Sequence, residues 1–550
     1  MTVALILADQ ADAGLRGQLT ALGVRRVDAT DRAGPGLLAV VPAAQAAGER
    51  VLICAGDGAV PEEILAGLLR AGGTAAFTRP GAGALVVDTP DLEALAGAAG
   101  VLAAACAAPA PIRALIAELA RRGVRVRVLD AGPDGDGVVA RLVAEPVAAP
   151  AAWWLARREL TPAALYGIAL GLGLLSAVWY SDPSARAEIV GAAALFGSLA
   201  VGRAGSLLAA VTTQGRLSAA ADWLGAAAAL LTEFAVYAAL AVSAGPGHPA
   251  GLGGVYGAGL RNTLVATVGG PGQAGVWRLA VAAMVMLGIR RMAGLCYEAA
   301  ARPPGTRPVR RIPEQIISFP AGERYAVIAV TALLAGPRLT FLLLLAWGAV
   351  AAGYLLTRPA PGPAAMAAGG LTACRGDGAT SDRIGGLVQG NMPPLLPALV
   401  ALFVTGVLAA LGLASLAGLL ILLPILVILP LLALGARHRH DGRLDWLVPP
   451  VLQTTECVFL AAVGFSRHVA PVLVFALVAG VVMRHADLAY RARIGRGIPA
   501  DGFGLGWDGR ILLIGLIAAV GLAPLGYVLL AVYLWLLFCW DYLSGWLYAA

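Results

Sequence analysis

Hydrophobic residues follow two different patterns along the chain, one on each side of about residue 150. Up to residue 146, short apolar runs alternate with stretches of helical character: VALILA, an amphipathic stretch, then ERVLICAGD, PEEILAGLLRAG, GALVVD, DLEALAGAAG, PIRALIAELARRG and VRVRVLD. Strands alternating with helices predict a mainly parallel sheet covered on both faces. The Ala- and Pro-rich segment VAEPVAAPAAWW then ends in paired tryptophans followed by Arg157 and Arg158, which is the composition of an interfacial anchor. Beyond it the apolar runs lengthen and predict about twelve membrane spans, near residues 163–180, 189–211, 219–243, 276–296, 324–336, 339–357, 393–412, 414–435, 446–464, 469–483, 510–524 and 526–545. Several fall short of the roughly 20 residues that cross the hydrocarbon, so their boundaries are soft.

Composition strengthens the membrane reading. Hydrophobic residues make up 59% of the 550 and charged residues 13%, with a mean hydropathy of +0.79, outside the range of ordinary soluble domains. The formal net charge is +7 and all 40 basic residues are arginine; without lysine there is no Schiff-base chemistry and no phosphate-loop lysine. The arginines cluster beside apolar spans, which reads as topology and argues against nucleic acid as a partner. Threading the spans from a cytoplasmic N-terminus puts Arg310 and Arg311, Arg437 to Arg443, and Arg484 to Arg496 on one side. The expected location is the cell membrane, multi-pass, with the N-terminal domain cytoplasmic. The opening MTVALILADQADAGLRG has acids by position 9 and no basic n-region, and does not predict a signal peptide.

Cys54, Cys106, Cys296, Cys374, Cys457 and Cys539 show no C-x-x-C spacing and read as small core residues, neither ligands nor disulfides. His438 and His440 alternate with arginines in a basic membrane-flanking loop. The Gly- and Pro-rich segment 358–392 separates six spans from six. The predicted organisation is an α/β domain over 1–146, a membrane domain over 150–357, a linker over 358–392 and a second membrane domain over 393–550.

The segment WWLARRELTPAALYGIALGLGLLSAVWY (153–180) resembles the opening of the CDP-alcohol phosphatidyltransferases, where an interfacial helix and a Thr-Pro turn feed the first span. LTEFAVYAALA (231–241) is similar to their third span, and FPAGERYAVIAVTALLAGPRLTF (319–341) to the Gly-Glu-Arg segment that opens the fifth span in a large subgroup from high-GC bacteria. LDWLVPP (444–450), Glu456, RHADLAYR (484–491) and GLGWDGR (504–510) resemble the uncharacterised domain that follows the transferase in that subgroup. The resemblance implies a mainly α, polytopic fold with a six-helix transferase-like core, preceded by a nucleotidyltransferase-like α/β domain.

That family carries D-x-x-D-G-x-x-A-R, eight residues, then G-x-x-x-D-x-x-x-D at the cytoplasmic ends of spans two and three. The four aspartates hold divalent cations, magnesium in intact members, against the diphosphate of a CDP-alcohol, and the glycines let the backbone approach the nucleotide. An ungapped comparison from EFAVYAALA puts Ala204, Leu207, Leu208, Val211, Thr212, Ala221, Gly225 and Ala229 at the signature positions, and residues 189–221 contain no acid. A hard dication has no oxygen ligands there, so no metal or cofactor is expected.

Two acids remain: Asp222 at the edge of span three and Glu233 within it. The cost of an intramembrane acid makes both catalytic candidates; the competing reading puts Asp222 at the interface and pairs Glu233 with Arg203 or Arg290. In the linker, RGDGATSDR holds Asp377, Gly378 and Asp382 but no Ala-Arg pair, and reads as a loop. Arg484, Arg491 and Arg493 crowd the end of one span near Trp507, Asp508 and Arg510 at the start of another. They read either as a grip for an anionic headgroup or phosphate, or as topological anchors with Asp487 as partner. In the N-terminal domain, VLICAGDGAVPEE resembles a strand ending in a metal-binding aspartate, Asp57. With ADQADAGLRG where a Gly-rich phosphate loop belongs, Asp57 reads as a turn residue.

Together these features imply a CDP-alcohol phosphatidyltransferase-like protein of phospholipid or phospho-polyol synthesis whose catalytic modules have decayed, leaving a non-catalytic partner or lipid-binding scaffold. Expected partners are membrane lipids, a CDP-alcohol or lipid-phosphate ligand, and a homodimer mate or an intact paralogue. Two other readings stay open. One is a working transferase with displaced acids, which needs two carboxylates converging on one aqueous pocket; the other is a polar-lipid transporter or flippase-like protein built from two six-span halves.

Overall fold

The computed structural model describes residues 2–7, 19–22, 26–30, 33–55, 74–79, 82–98, 137–156, 160–212, 216–244, 272–300, 316–358, 374–387, 393–412, 418–436, 442–494 and 505–547, with a few isolated positions between them. At the N-terminal end, β1 (Thr2–Leu7), β2 (Arg26–Thr30), α1 (Ala33–Ala46), β3 (Arg50–Ala55), β4 (Ala75–Arg79), β5 (Ala82–Val87), α2 (Leu92–Gly97) and β6 (Arg127–Val128) build a six-stranded sheet in the order β2-β1-β3-β5-β4-β6. β1 pairs parallel with β2 and β3, and β4 with β6, but β5 runs antiparallel to both β3 and β4. The sheet is therefore mixed, where the pattern predicted a mainly parallel one. The cause is local: two residues separate β4 from β5, and a parallel crossover takes a dozen or more.

Both faces of the sheet are covered. Leu5, Val51, Ile53, Leu85 and Val87 meet Val40 and Val41 of α1 and Leu92 and Leu95 of α2 on one side, while Leu52, Cys54 and Val86 are buried on the other. Burial pushes the Cys54 thiol up to about 12, which suits the core residue its apolar run predicts.

A π-helical turn (Ala140–Ala144) leads into α3 (Glu145–Ala156), and the rest of the described chain is almost wholly helical. It comprises α4 (Pro162–Tyr180), α5 (Ala185–Thr212), α6 (Arg216–Ser243), α7 (Gly272–Ala300), α8 (Ala321–Ala335), α9 (Pro337–Leu356), α10 (Ala379–Leu387), α11 (Leu395–Ala410), α12 (Leu422–Ala433), α13 (Val448–Ser466), α14 (Pro471–Ile494), α15 (Gly506–Ala519) and α16 (Ala523–Leu547). The first span starts as its Thr-Pro pair predicts, with the Thr161 hydroxyl accepting from the Ala164 N–H at 3.4 Å and Pro162 in the first turn.

Every one of the twelve predicted spans falls on a helix. Among the described residues eight helices are long and apolar enough to cross a membrane: α4, α5, α6, α7, α9, α13, α14 and α16. The protein is a mainly α, multi-pass membrane protein. The other four predicted spans fall on the shorter α8, α11, α12 and α15, of 15, 16, 12 and 14 residues.

The two halves share one hydrophobic core, in which α7 is central. It lies against α6 and α9 of its own half and against α13 and α14 of the other. Trp277 of α7 meets Phe475 edge-on with ring centroids 5.7 Å apart near one end, Gly288 lies against Val482 and Gln453, and Tyr297 meets Trp446 at 5.3 Å near the other end. Trp223 of α6 stacks on Tyr490 of α14 at 5.8 Å.

A Cβ at Gly288 would come within 2.7 Å of the Val482 side chain, whereas one at Gly171 meets nothing within 4 Å. Gly288→Leu is therefore expected to destabilise the detergent-solubilised protein by about 1–3 kcal/mol through overpacking, with Gly171→Leu unchanged. Thermal unfolding checks this, and equal midpoints for the two variants would sink it.

Candidate functional site

In the first half, the positions that the sequence comparison set against the transferase signature lie on α5 and α6, and the feature between them is Tyr166 of α4. Its buried ring fits because two neighbours lack side chains: a Cβ at Gly205 would fall 2.9 Å from the ring and one at Gly225 2.7 Å. Ala209, Ala221, Leu224 and Ala228 complete that cluster. Ala204 and Leu208 join Ala148 and Ala152 of α3 and Leu165 of α4 in another. Asp222 lies on α6, but its side chain, like those of Val211 and Thr212, is outside the described residues. Asp57 is outside them too.

Glu233, fully buried on α6, has a partner other than those the sequence suggested. Arg324 of α8 grips both carboxylate oxygens, Nε donating to Oε2 at 3.0 Å and Nη2 to Oε1. The Tyr237 hydroxyl donates to Oε2 at 3.4 Å. Arg324 belongs to the Gly-Glu-Arg segment, so that motif supplies the counter-charge for span three; Arg290 instead donates to the Ser318 carbonyl at 3.2 Å.

In the second half, helix ends gather polar side chains. Arg510 of α15 holds Glu456 of α13 in a two-pronged pair, Nε to Oε1 at 2.5 Å and Nη2 to Oε2 at 2.9 Å. His485 of α14 places Nε2 2.8 Å from Glu456 Oε2 and 3.4 Å from Arg510 Nη2. All three are buried. Nearby, Arg484 donates to Asp541 of α16 at 2.7 Å and Arg491 to Asp487 at 2.9 Å, with Arg484 also 3.6 Å from Asp487. Two of the three arginines predicted as a phosphate grip, Arg484 and Arg491, are thus matched by two aspartates, the anchor reading's Asp487 and the unforeseen Asp541. The side chain of Arg493 is outside the described residues.

The RGDGATSDR segment, predicted as a loop, is a fastening that leads into α10. Arg375 is buried, bonds Asp377 at 2.6 Å and donates to the Leu432 carbonyl in α12 at 3.1 Å. Asp377 also accepts the Trp507 indole N–H at 2.8 Å. Asp508 accepts the Ser381 N–H at 2.8 Å and so caps the start of α10. A Cβ at Gly378 would fall 2.2 Å from Asp508 Oδ1, so the close approach requires glycine. Sequence reasoning missed this contact because the capping acid lies 127 residues away. Asp541 carried a signal of its own: it stands alone at the end of an apolar run, where an acid needs a partner.

Glu233, Glu456 and Asp487 each have a guanidinium partner, so none is placed as a free general base. Among the described residues no three of His, Cys, Asp and Glu gather as a metal site. The geometry ties helices together. Removing one partner of the Glu456–Arg510 pair leaves an uncompensated buried charge, so Glu456→Gln is expected to cost about 3–5 kcal/mol, and Glu456→Gln with Arg510→Met markedly less. Chemical unfolding of the single and double variants measures this; additive losses would show that the two residues act independently.

The model of a family of unknown function (DUF5941) matches residues 365–549. Its start lies within the predicted linker, so the matched module includes the fastening at 374–387 as well as α11 to α16. No curated protein matches the chain.

Proposed function

We propose that this chain is a CDP-alcohol phosphatidyltransferase-like membrane protein without transferase activity. It serves as a partner or lipid-binding scaffold in phospholipid or phospho-polyol assembly, set in the cell membrane with its α/β domain in the cytoplasm. The observation that carries this reading is the Tyr166 ring, lodged between Gly205 and Gly225 where the resemblance calls for a metal-bound diphosphate. A polyanion and its dication have no place among Tyr166, Ala209, Leu224 and Ala228, because a buried charge requires ligands or counter-charges that these side chains lack. Displaced acids serve no better: Glu233 is held by Arg324.

Contacts at the helix ends support twelve crossings and the proposed sidedness, even though four helices are short. The threading puts Val139 with Glu323, Tyr297 with Trp446, Asp377 with Trp507, and Arg484 with Asp541 on one side; all four pairs touch. It puts Gln273 with the Val242 carbonyl, and Arg338 with the Gly272 carbonyl, on the other; these pairs bond at 3.2 and 3.0 Å. Were α8 not to cross, Glu323 and Arg338 would share a side, although their partners lie at opposite ends of the bundle.

The full-length protein in nanodiscs, supplied with magnesium, CDP-diacylglycerol and a panel of polyol acceptors, is expected to release no CMP above background. CMP release that disappears in Asp222→Asn would overturn the reading.

A further inference from the structure

Near the end of α7, Met292, Ala293, Leu295 and Cys296 form an apolar cluster with Leu355 of α9, Trp446, Ala489 of α14 and Cys374. Cys374 comes directly before the buried Arg375 and the Asp377 that holds Trp507. Both cysteines are buried, and their thiols share a hydrogen bond. The first belongs to the transferase-like half and the second lies within the family-matched module.

We propose that Cys296 and Cys374 are a disulfide-forming pair, a modification site that locks the C-terminal module onto α7. A disulfide asks for Cβ atoms roughly 3.5–4.5 Å apart, and two thiols of one cluster in hydrogen-bond contact are the cysteines placed to reach it. The apolar cluster sets the oxidant class: a small neutral peroxide enters, whereas charged or bulky disulfides such as glutathione do not. One sulfur, as thiolate, attacks a peroxide oxygen and becomes a sulfenic acid, and the peroxide's other oxygen leaves as water once protonated. The neighbouring sulfur then displaces the sulfenic oxygen as a second water. In balance, two thiols give up two electrons and two protons, and one hydrogen peroxide becomes two waters. The attacking species is the thiolate, which a site shut away from water disfavours, so the first step is slow. On the cytoplasmic side proposed above the pair rests reduced, and the bond forms under oxidative stress. The apolar surroundings that exclude glutathione from the thiols also shield the bond from reduction by it. The lock holds the 374–381 fastening, and through it α12 and α15, against α7.

The test needs only the full-length protein in native membranes. After hydrogen peroxide, denaturation with alkylation and digestion without reductant, mass spectrometry is expected to find a peptide pair joined through Cys296 and Cys374. That pair should grow with time, vanish on dithiothreitol and be absent in Cys374→Ser, in which oxidation of the exposed Cys539 continues as in the parent. The unfolding midpoint of the parent is expected to rise on oxidation. Recovery of Cys296 and Cys374 as separately alkylated thiols while Cys539 is oxidised, or a bond from Cys296 to another cysteine, would overturn the proposal.

Discussion

A charge within a hydrocarbon-facing bundle has to bring its counter-charge with it, and the helix arrangement here depends on that constraint. Glu233 on α6 finds Arg324 on α8, and Glu456 on α13 finds Arg510 on α15 with His485 of α14 alongside. Each pair joins helices that are not neighbours in sequence. Such pairs add little net stability over an apolar match of the same volume, but separating their members is costly, so a rearranged bundle that parts them is disfavoured. The pairs therefore select which helices meet.

The same constraint bears on chemistry. An acid that neutralises a guanidinium at hydrogen-bond distance is not available to hold a cation or to take a proton from an acceptor hydroxyl. In the first half the remaining space between α5 and α6 is filled by an aromatic ring and small apolar side chains. In the second half, hydrogen bonds between polar side chains link four helices and the 374–381 segment. These polar side chains tie the helices of the bundle together at one end.

The module of unknown function is thereby more than an appendage. It shares a continuous core with the first half of the membrane region through α7, and its first described residues thread back to α7 through Cys374 and to α15 through Asp377 and Ser381. Motion of one half against the other would have to break aromatic contacts near both ends of α7 and the close approach at Gly288.

Much of the architecture was legible in the sequence, because hydropathy and helix period are local properties. The helices under the predicted spans and the alternation of strands and helices among the described residues of the first domain need only neighbouring residues to be read. Partnerships were not legible. Glu233 choosing Arg324 over Arg203 or Arg290, Asp508 capping a helix that begins far upstream, Asp541 matching Arg484, and β5 reversing the sheet all depend on which segments meet in space. A periodic apolar face says that a helix is buried but not against what, since apolar contacts are non-directional. Only the assembled bundle, where each buried charge must find its complement within hydrogen-bond distance, decided those pairings.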